Sequence, residues 1–246
     1  MIRKLLIASL VAAALTAGAA DIIPFSEEVP VINGSASDKV WEKQDWNVSG
    51  KLEYKASSDG SKIFFIVKFN SPAPHCEERR WVWDSAAGIY VPGKETEDTL
   101  NVVIAPGAGG ASLFADLWVW RAGRTDPMAS ADDLYISYDS GTSAPQIFPD
   151  KGQAPWYSRY FSAYAGDIIK RFYLRKPSGS AADVSAKGIW HEGVWTVEFS
   201  RKLDTGNIDD VRLNSAEPFQ LFFFPERELP GKFDFISFQI GKEPLK

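Results

Sequence analysis

Residues Asp116–Asp133, with the sequence DLWVWRAGRTDPMASADD, bring together the side chains best suited to chemistry. The thioether of Met128 is a soft metal ligand, and a guanidinium such as that of Arg124 can bind a carboxylate through two hydrogen bonds. The acidic pair Asp132–Asp133 could bind a cation. The alternating residues before Arg121 predict a strand, so the special side chains follow it in a loop, where proteins often carry function.

Each of these residues also has an ordinary structural interpretation. A methionine in an aromatic-rich protein usually fills a gap between larger side chains. Arg121 and Arg124 would ordinarily pair with acids such as Asp132–Asp133 at the edge of a strand. Trp118 and Trp120 are expected in the core and at its rim. From the residues alone, metal binding and plain packing therefore both remain open for this stretch.

Two histidines and the single cysteine are rival metal ligands. His191 precedes Glu192 and Gly193 and is expected at the tip of a hairpin, in solvent. His75 lies beside Cys76 in a polar loop that could fold over a pocket. These residues are too scattered for a structural zinc site, and the chain contains no C-x-x-C-H motif for covalent haem attachment.

Other motifs of catalysis are missing from the sequence. The Gly-rich turn Pro106–Gly110 has no lysine-serine pair, so it is not a phosphate-binding loop. The chain contains neither G-x-S-x-G nor H-E-x-x-H. Neighbouring residues of a strand point to opposite faces, so neither Asp132–Asp133 nor Asp209–Asp210 alone forms an acid/base couple. Calcium bridging between these two pairs remains an open alternative.

The start of the chain predicts export. Arg3 and Lys4, the apolar run Leu5–Leu15 and the pattern Ala17–Ala19 are typical of a signal peptide, which we assign to residues 1–19. No later apolar run is long enough to span a membrane. The expected location is the periplasm, and the single cysteine means that packing must replace disulfides. A net charge of −5 argues against nucleic acid as a partner.

Residues 20–246 are expected to form one all-β domain, a β-sandwich with long functional loops and few short helices. A short helical turn is expected between Ser37 and Lys43. Gly123–Gly166 is expected to be a long irregular section, rich in tyrosine and tryptophan. The predicted strands are Lys51–Lys55, Lys62–Phe69, Trp81–Trp83, Ile89–Val91, Thr99–Ile104, Leu113–Trp120, Arg171–Lys176, Lys187–Trp190, Val194–Arg201, Phe219–Phe224 and Phe233–Ile240.

Four segments resemble a known family, the haem-binding subunits of the ethylbenzene dehydrogenase gamma type, which include those of dimethyl sulfide dehydrogenase and selenate reductase. The first segment, VINGSASDKVWEK, is also similar to the opening of family-9 carbohydrate-binding modules. The second is Glu95–Ile104, ETEDTLNVVI. The third lies within Asp116–Asp133, and the fourth is Gly188–Asp210, GIWHEGVWTVEFSRKLDTGNIDD. The last two are the more specific, because tryptophan-rich strands with these arginines and paired aspartates rarely arise by chance.

The resemblance implies an immunoglobulin-like β-sandwich that holds one non-covalent haem b. Its axial ligands would be Met128 and Lys232, with Arg124 on a haem propionate and Trp120 beside the cofactor. Six-coordinate iron has no site for substrate, so the chain would transfer electrons rather than act as an enzyme. The implied partners are the catalytic subunit of a molybdoenzyme, its iron–sulfur subunit and a soluble cytochrome.

Two features depart from the family pattern: the aromatic section Gly141–Lys170 and the loop around His75 and Cys76. The alternative function is a secreted carbohydrate-binding module, because such sandwiches stack sugars on exposed aromatic rings. Replacing Trp156, Tyr157 or Tyr160 would then weaken glycan binding, whereas a haem protein would respond to Met128 or Lys232.

Overall fold

The computed structural model describes residues 20–107, 114–137, 146–214, 217–225 and 235–244. The predicted signal peptide and Lys232 therefore lie outside the described residues. One short α-helix, α1, spans Lys39–Glu42, and 3-10 helices span Asp126–Met128 and Ser180–Ala182. None of the described helices is long and apolar enough to cross a membrane.

The strands are β1 Asp21–Phe25, β2 Asn47–Ser49, β3 Leu52–Ser58, β4 Lys62–Asn70, β5 Trp81–Asp84, β6 Ile89–Pro92, β7 Thr99–Pro106, β8 Phe114–Arg121, β9 Asp132–Ser137, β10 Gln146–Pro149, β11 Gly152–Gln153, β12 Trp156–Ser158, β13 Ile168–Ile169, β14 Phe172–Leu174, β15 Ser178–Gly179, β16 Ser185–His191, β17 Val194–Lys202, β18 Phe219–Phe224 and β19 Ile236–Pro244.

Most strands belong to one sheet that folds over on itself. Its order is β10-β9-β8-β7-β18-β19-β1-β3-β4-β17-β16, with β2 added against β3. The strand β1 joins the two halves, because it pairs with β19 through most of its length but reaches β3 through the single pair Phe25–Ser58. A register break between Ile23 and Phe25 accompanies this change of partner. The expected all-β sandwich with few helices is confirmed.

The core lies between the two halves and is mainly aromatic. Trp118 of β8 lies 6.1 Å from Phe65 of β4 and 6.4 Å from Phe199 of β17, measured between ring centroids. Tyr54 of β3 similarly meets Phe223 of β18 at 5.3 Å. All five side chains are buried. Burial of such large rings supplies most of the driving force for folding in a chain without a disulfide.

The prediction that Gly123–Gly166 is irregular is wrong. Within 123–166 the structure forms the strands β9, β10, β11 and β12. Each is short, at most six residues, and β12 pairs with β14 while β11 pairs with β15 outside the main sheet. Short strands with distant partners show little periodicity, so the sequence did not reveal them. Residues 138–145 are not described.

The entry segment docks on a single buried carboxylate in β17. Glu198 is fully buried, and one of its oxygens accepts the backbone N–H groups of Asn33 and Gly34, each at 2.8 Å. The other oxygen accepts the indole N–H of Trp41 at 2.7 Å. Helix α1, which carries Trp41, thereby covers the outer face of β4. A motif near the start and one near the end of the chain thus form one structural unit.

Glu198→Gln is expected to flatten the pH dependence of folding stability. Burial raises the pKa of Glu198 above its ordinary value of 4.5, although the three N–H donors lower it in part. The folded state then holds this proton more tightly than the unfolded chain does. Its stabilising contribution is complete below about pH 4.5 and is lost as the pH rises through the folded pKa.

Urea unfolding at about pH 4.5 and about pH 7 tests this expectation. The free energy of unfolding should fall more steeply with pH in the wild type than in Glu198→Gln. The matched control is Glu53→Gln on β3, because the Glu53 side chain is 52% exposed. Equal slopes for the wild type and Glu198→Gln would contradict the assignment.

Candidate functional site

Residues 122–131 connect β8 to β9 and form a tight turn around the 3-10 helix Asp126–Met128. Pro127 lies in the first turn of this helix, where a missing N–H is tolerated. Ala129 then adopts the left-handed conformation with φ of 50°. The Thr125 hydroxyl accepts the backbone N–H of Arg121 at 2.8 Å. The sequence RTDPMA therefore ends the strand and reverses the chain locally.

Asp126 fastens this turn to β16. Its carboxylate accepts the Trp120 indole N–H at 2.9 Å, the Gly188 backbone N–H at 2.6 Å and the Lys187 ammonium at 2.5 Å. Gly188 is required here, because a Cβ atom would lie 2.5 Å from the ring of Trp120. Trp120 is fully buried and packs on Trp195 with 4.8 Å between ring centroids. Trp120 thereby holds the turn in place through its hydrogen bond to Asp126.

Arg124 is buried beneath the aromatic strands β12 and β14. Its Nε atom donates to Glu97, and its guanidinium carbon lies 4.5 Å from the Trp156 ring and 4.6 Å from the Phe172 ring. Glu97 also accepts the Gly123 N–H at 2.9 Å. Burial raises the pKa of Glu97 and lowers the pKa of Arg124, and each charge offsets this effect on the other. The guanidinium is therefore fixed in position.

A pocket of about 100 Å³ opens beside Arg124, and its charged lining also includes the cations Arg80, Lys170 and Arg171 and the acids Glu77 and Glu78. The loop that carries Cys76 forms another wall. Gly123 packs so closely on this loop that a Cβ atom would lie 2.0 Å from the Cys76 carbonyl. A space of this size accommodates a carboxylate, and the four cations of the lining outnumber its two acids.

Met128 is the last residue of the 3-10 helix and is half-buried. Its backbone N–H donates to the Thr125 carbonyl at 3.0 Å, so the turn holds its backbone.

The rival ligands His191, His75 and Cys76 are more exposed to solvent. The His191 side chain is 79% exposed at the tip of the β16–β17 hairpin, and His75 and Cys76 are also exposed. Partial loss of solvent around the sulfur, followed by the neighbouring carboxylates of Asp98 and Asp126, raises the pKa of the Cys76 thiol, which disfavours a thiolate.

The end of β18, which precedes Lys232 in the chain, lies at the same end of the sheet as the Met128 turn. β18 ends at Phe224, which pairs with Asn101 of β7. The Thr99 hydroxyl at the start of β7 donates to the Pro225 carbonyl at 3.1 Å, and Thr99 itself pairs with Arg121 at the end of β8. β19 begins further from this end, because its first residue, Ile236, pairs with Leu221. The chain thus leaves β18 at the end of the sheet where the Met128 turn begins.

A second set of aromatic residues lies on the small strands outside the main sheet. Trp81 and Tyr160 have ring centroids 5.5 Å apart, and the Arg171 guanidinium lies 4.7 Å from the Trp81 ring. Tyr160 is 75% exposed and Tyr157 is 41% exposed. Trp156 differs, because its indole N–H donates to Asp132 at 2.7 Å and its ring covers a buried arginine. Of the three predicted sugar-stacking residues, only the two tyrosines present open rings.

The fold and these contacts define a class of protein: a β-sandwich whose chemically special side chains lie on loops at one edge of the sheet. The chain belongs to the ethylbenzene dehydrogenase family, whose sequence model matches residues 31–223. This is a family of electron-transfer subunits of oxidoreductases, so the predicted family is confirmed. The matched region includes Met128 and ends before Lys232.

Two solved structures of a family-9 carbohydrate-binding module from Caldicellulosiruptor kristjanssonii are similar in fold. The complex with cellotriose shares 10% identity, covers 92% of this chain and 94% of its own, and has a TM-score of 0.41. The complex with glucose shares 11% identity over 89% and 94%, with a TM-score of 0.39. A likeness this distant carries no argument about function. No curated protein sequence matches the chain.

Proposed function

We propose that the chain is a periplasmic b-type cytochrome subunit that holds one haem through Met128 and Lys232. The end of β18 supports this proposal, because Pro225, seven residues before Lys232, lies near Arg121, where the turn that contains Met128 begins. Two residues so distant in sequence can then serve one iron atom. The family supports the same function, since its members transfer electrons within oxidoreductases.

The chemistry of the residues fits a haem. A thioether ligand favours ferrous iron and raises the reduction potential of the haem. Met128 is half-buried on a fixed turn, so it can bind iron with little loss of conformational entropy. Lysine binds iron as the neutral amine, so burial at the site must lower its pKa. When bound, the haem would supply a one-electron carrier held by Met128 and Lys232, and the chain itself would perform no catalysis.

Arg124 and Trp120 support the same site in different ways. The described hydrogen bonds of Arg124 use Nε, which leaves its Nη donors for a propionate in the adjoining cationic pocket. Trp120 acts through Asp126, because its indole N–H is already donated there and its ring is fully buried. We assign it the role of positioning the Met128 turn.

The proposed partners follow from the family. The subunit would bind the catalytic and iron–sulfur subunits of a molybdenum-cofactor oxidoreductase. It would pass electrons between the iron–sulfur subunit and a soluble cytochrome. The predicted signal peptide supports export to the periplasm, where no disulfide is needed because the core is large and aromatic.

The test is an optical spectrum of the full chain, exported from a haem-supplemented host and measured oxidised and reduced. We expect about one haem per chain, a Soret band, and sharp α and β bands on reduction, as a low-spin six-coordinate iron requires. A chain that retains no haem after reconstitution would overturn the proposal.

The exposed rings of Tyr157 and Tyr160 favour a second candidate, glycan binding. Glycan binding that weakens in Tyr160→Ala, together with a featureless visible spectrum, would establish it instead. Phe161→Ala is the matched control, because Phe161 is the adjacent aromatic residue and is less exposed than Tyr160.

A further inference from the structure

Three aspartates from separate parts of the chain meet where β9 begins and β10 ends. Asp133 lies on β9, Asp150 directly follows β10, and Asp210 lies in the connection after β17. One carboxylate oxygen from each lies within 4.8 Å of the others. The backbone adds a further contact, because the Asp150 N–H donates to the Asp133 carbonyl at 3.1 Å.

The carboxylates of Asp133 and Asp150 lack the partners that buried charges need. Asp133 is 2% exposed and Asp150 is 5% exposed. Within the described part of the chain, no hydrogen-bond donor reaches any of their four oxygen atoms. An unpaired buried carboxylate is very costly, so such a group normally binds a metal, pairs with a cation or takes up a proton.

The nearby cation does not balance this charge. Arg201 is fully buried and donates to Asp116 and Asp210, and its remaining described bonds go to backbone carbonyls. One guanidinium therefore faces a group of four aspartates, and it makes no hydrogen bond to Asp133 or Asp150. The cluster carries an excess of negative charge at its centre.

We infer that Asp133, Asp150 and Asp210 bind a calcium ion. Calcium takes six to eight oxygen ligands at about 2.3–2.6 Å, so two ligand atoms on opposite sides of the ion lie about 4.8 Å apart. The three oxygens fall within that limit. An adjoining cavity of about 230 Å³, lined in part by Asp133 and Asp150, leaves room for the water molecules that complete the coordination.

The ion would tie three elements together at the open edge of the sheet. It links β9 and the end of β10 to the connection between β17 and β18, which no strand pairing joins. The neighbouring Asp209 already anchors part of this region by accepting the Lys151 N–H at 2.9 Å and the Ser180 hydroxyl at 3.0 Å. The site is thus structural, and its three aspartates differ from the residues proposed to hold the haem.

Protons are the competing occupants. Burial, followed by the neighbouring carboxylates, raises the pKa of Asp133 well above its ordinary value and that of Asp150 to about 8. A cluster neutralised only by protons would be indifferent to calcium. The two occupants are therefore distinguishable by adding the ion at constant pH.

The test uses the full chain, freed of metal with EDTA and compared with and without about 1 mM Ca²⁺. We expect one calcium per chain by calorimetry and a rise in the melting temperature of about 5 °C or more. An equal rise with Mg²⁺ would overturn the choice of calcium. No bound calcium and an unchanged melting temperature would overturn the site.

Asp133→Asn should lose the calcium-dependent rise while matching or exceeding the melting temperature of the wild type in EDTA, because the repulsion is relieved. Asp150→Asn serves the same purpose if the first variant does not fold. Asp45→Asn, at an exposed position, is the matched control and should keep the full response. A calcium response that survives in both ligand variants would assign the ion to another place.

Discussion

Met128→Leu is expected to remove the low-spin six-coordinate spectrum of the haem-loaded protein. Leucine has nearly the volume of methionine but no donor atom, so the fold should persist while one axial bond is lost. The reduced protein should lose its sharp α band, and the haem should dissociate more readily. Absorbance spectra of the oxidised and reduced forms measure both effects.

A second substitution separates ligation from packing. Met128→His restores a strong ligand at the same turn and is expected to recover the low-spin spectrum, with a reduction potential lower by on the order of 0.1 V. Ile168→Leu, a volume-conserving change at a residue that is 54% exposed, is the matched control and should leave the spectrum unchanged. A wild-type spectrum in Met128→Leu would exclude Met128 as a ligand.

The elements that the sequence predicted best are those held by local contacts. The hairpin of β16 and β17 turns on Glu192 and Gly193, which both have positive φ, and its strands alternate clearly. The hairpin of β3 and β4 turns on Asp59 and Gly60, of which Gly60 has a positive φ. Turn residues and a period of two are visible in a short window, so both hairpins are confirmed.

The contacts that build the candidate site are long-range and could not be found in this way. Asp126 reads as a turn residue, but its carboxylate fixes Lys187 and Gly188 some sixty positions away. The ordinary interpretation pairs Arg121 and Arg124 with Asp132 or Asp133. The structure does pair Arg121 with Asp132, but it pairs Arg124 with Glu97. Residue type limits the possible partners of a charge, but strand register decides among them.

The acidic pairs show the same limit. Alternation along a strand correctly separates Asp132 from Asp133, which make different contacts on the two faces of β9. The sequence also permits a calcium ion bound between the pairs Asp132–Asp133 and Asp209–Asp210. The third member, Asp150, follows a short strand that the sequence did not reveal, so the complete cluster emerges only from the pairing of β9 with β10.

Arg201→Met is expected to lower the free energy of unfolding by about 3–5 kcal/mol, measured in EDTA so that no cation compensates. Arg201 and Asp116 are both buried and joined by a hydrogen bond, and the guanidinium also donates to Asp210 and to the Val211 carbonyl. Methionine fills a similar space but leaves Asp116 as an uncompensated buried charge. Urea unfolding measures the loss.

Two further variants distinguish the buried charge from lost packing. Arg212→Met removes an ion pair to Asp204 in which the Arg212 side chain is 74% exposed, so it should cost at most about 1 kcal/mol. Adding Asp116→Asn to Arg201→Met should recover part of the loss, because the amide keeps an acceptor for the Val211 N–H without the charge. If Arg201→Met were as mild as Arg212→Met, the pair would contribute little beyond its packing. A large loss with partial recovery would show that Arg201 holds β8 and β17 together by offsetting a charge that the core cannot otherwise accommodate.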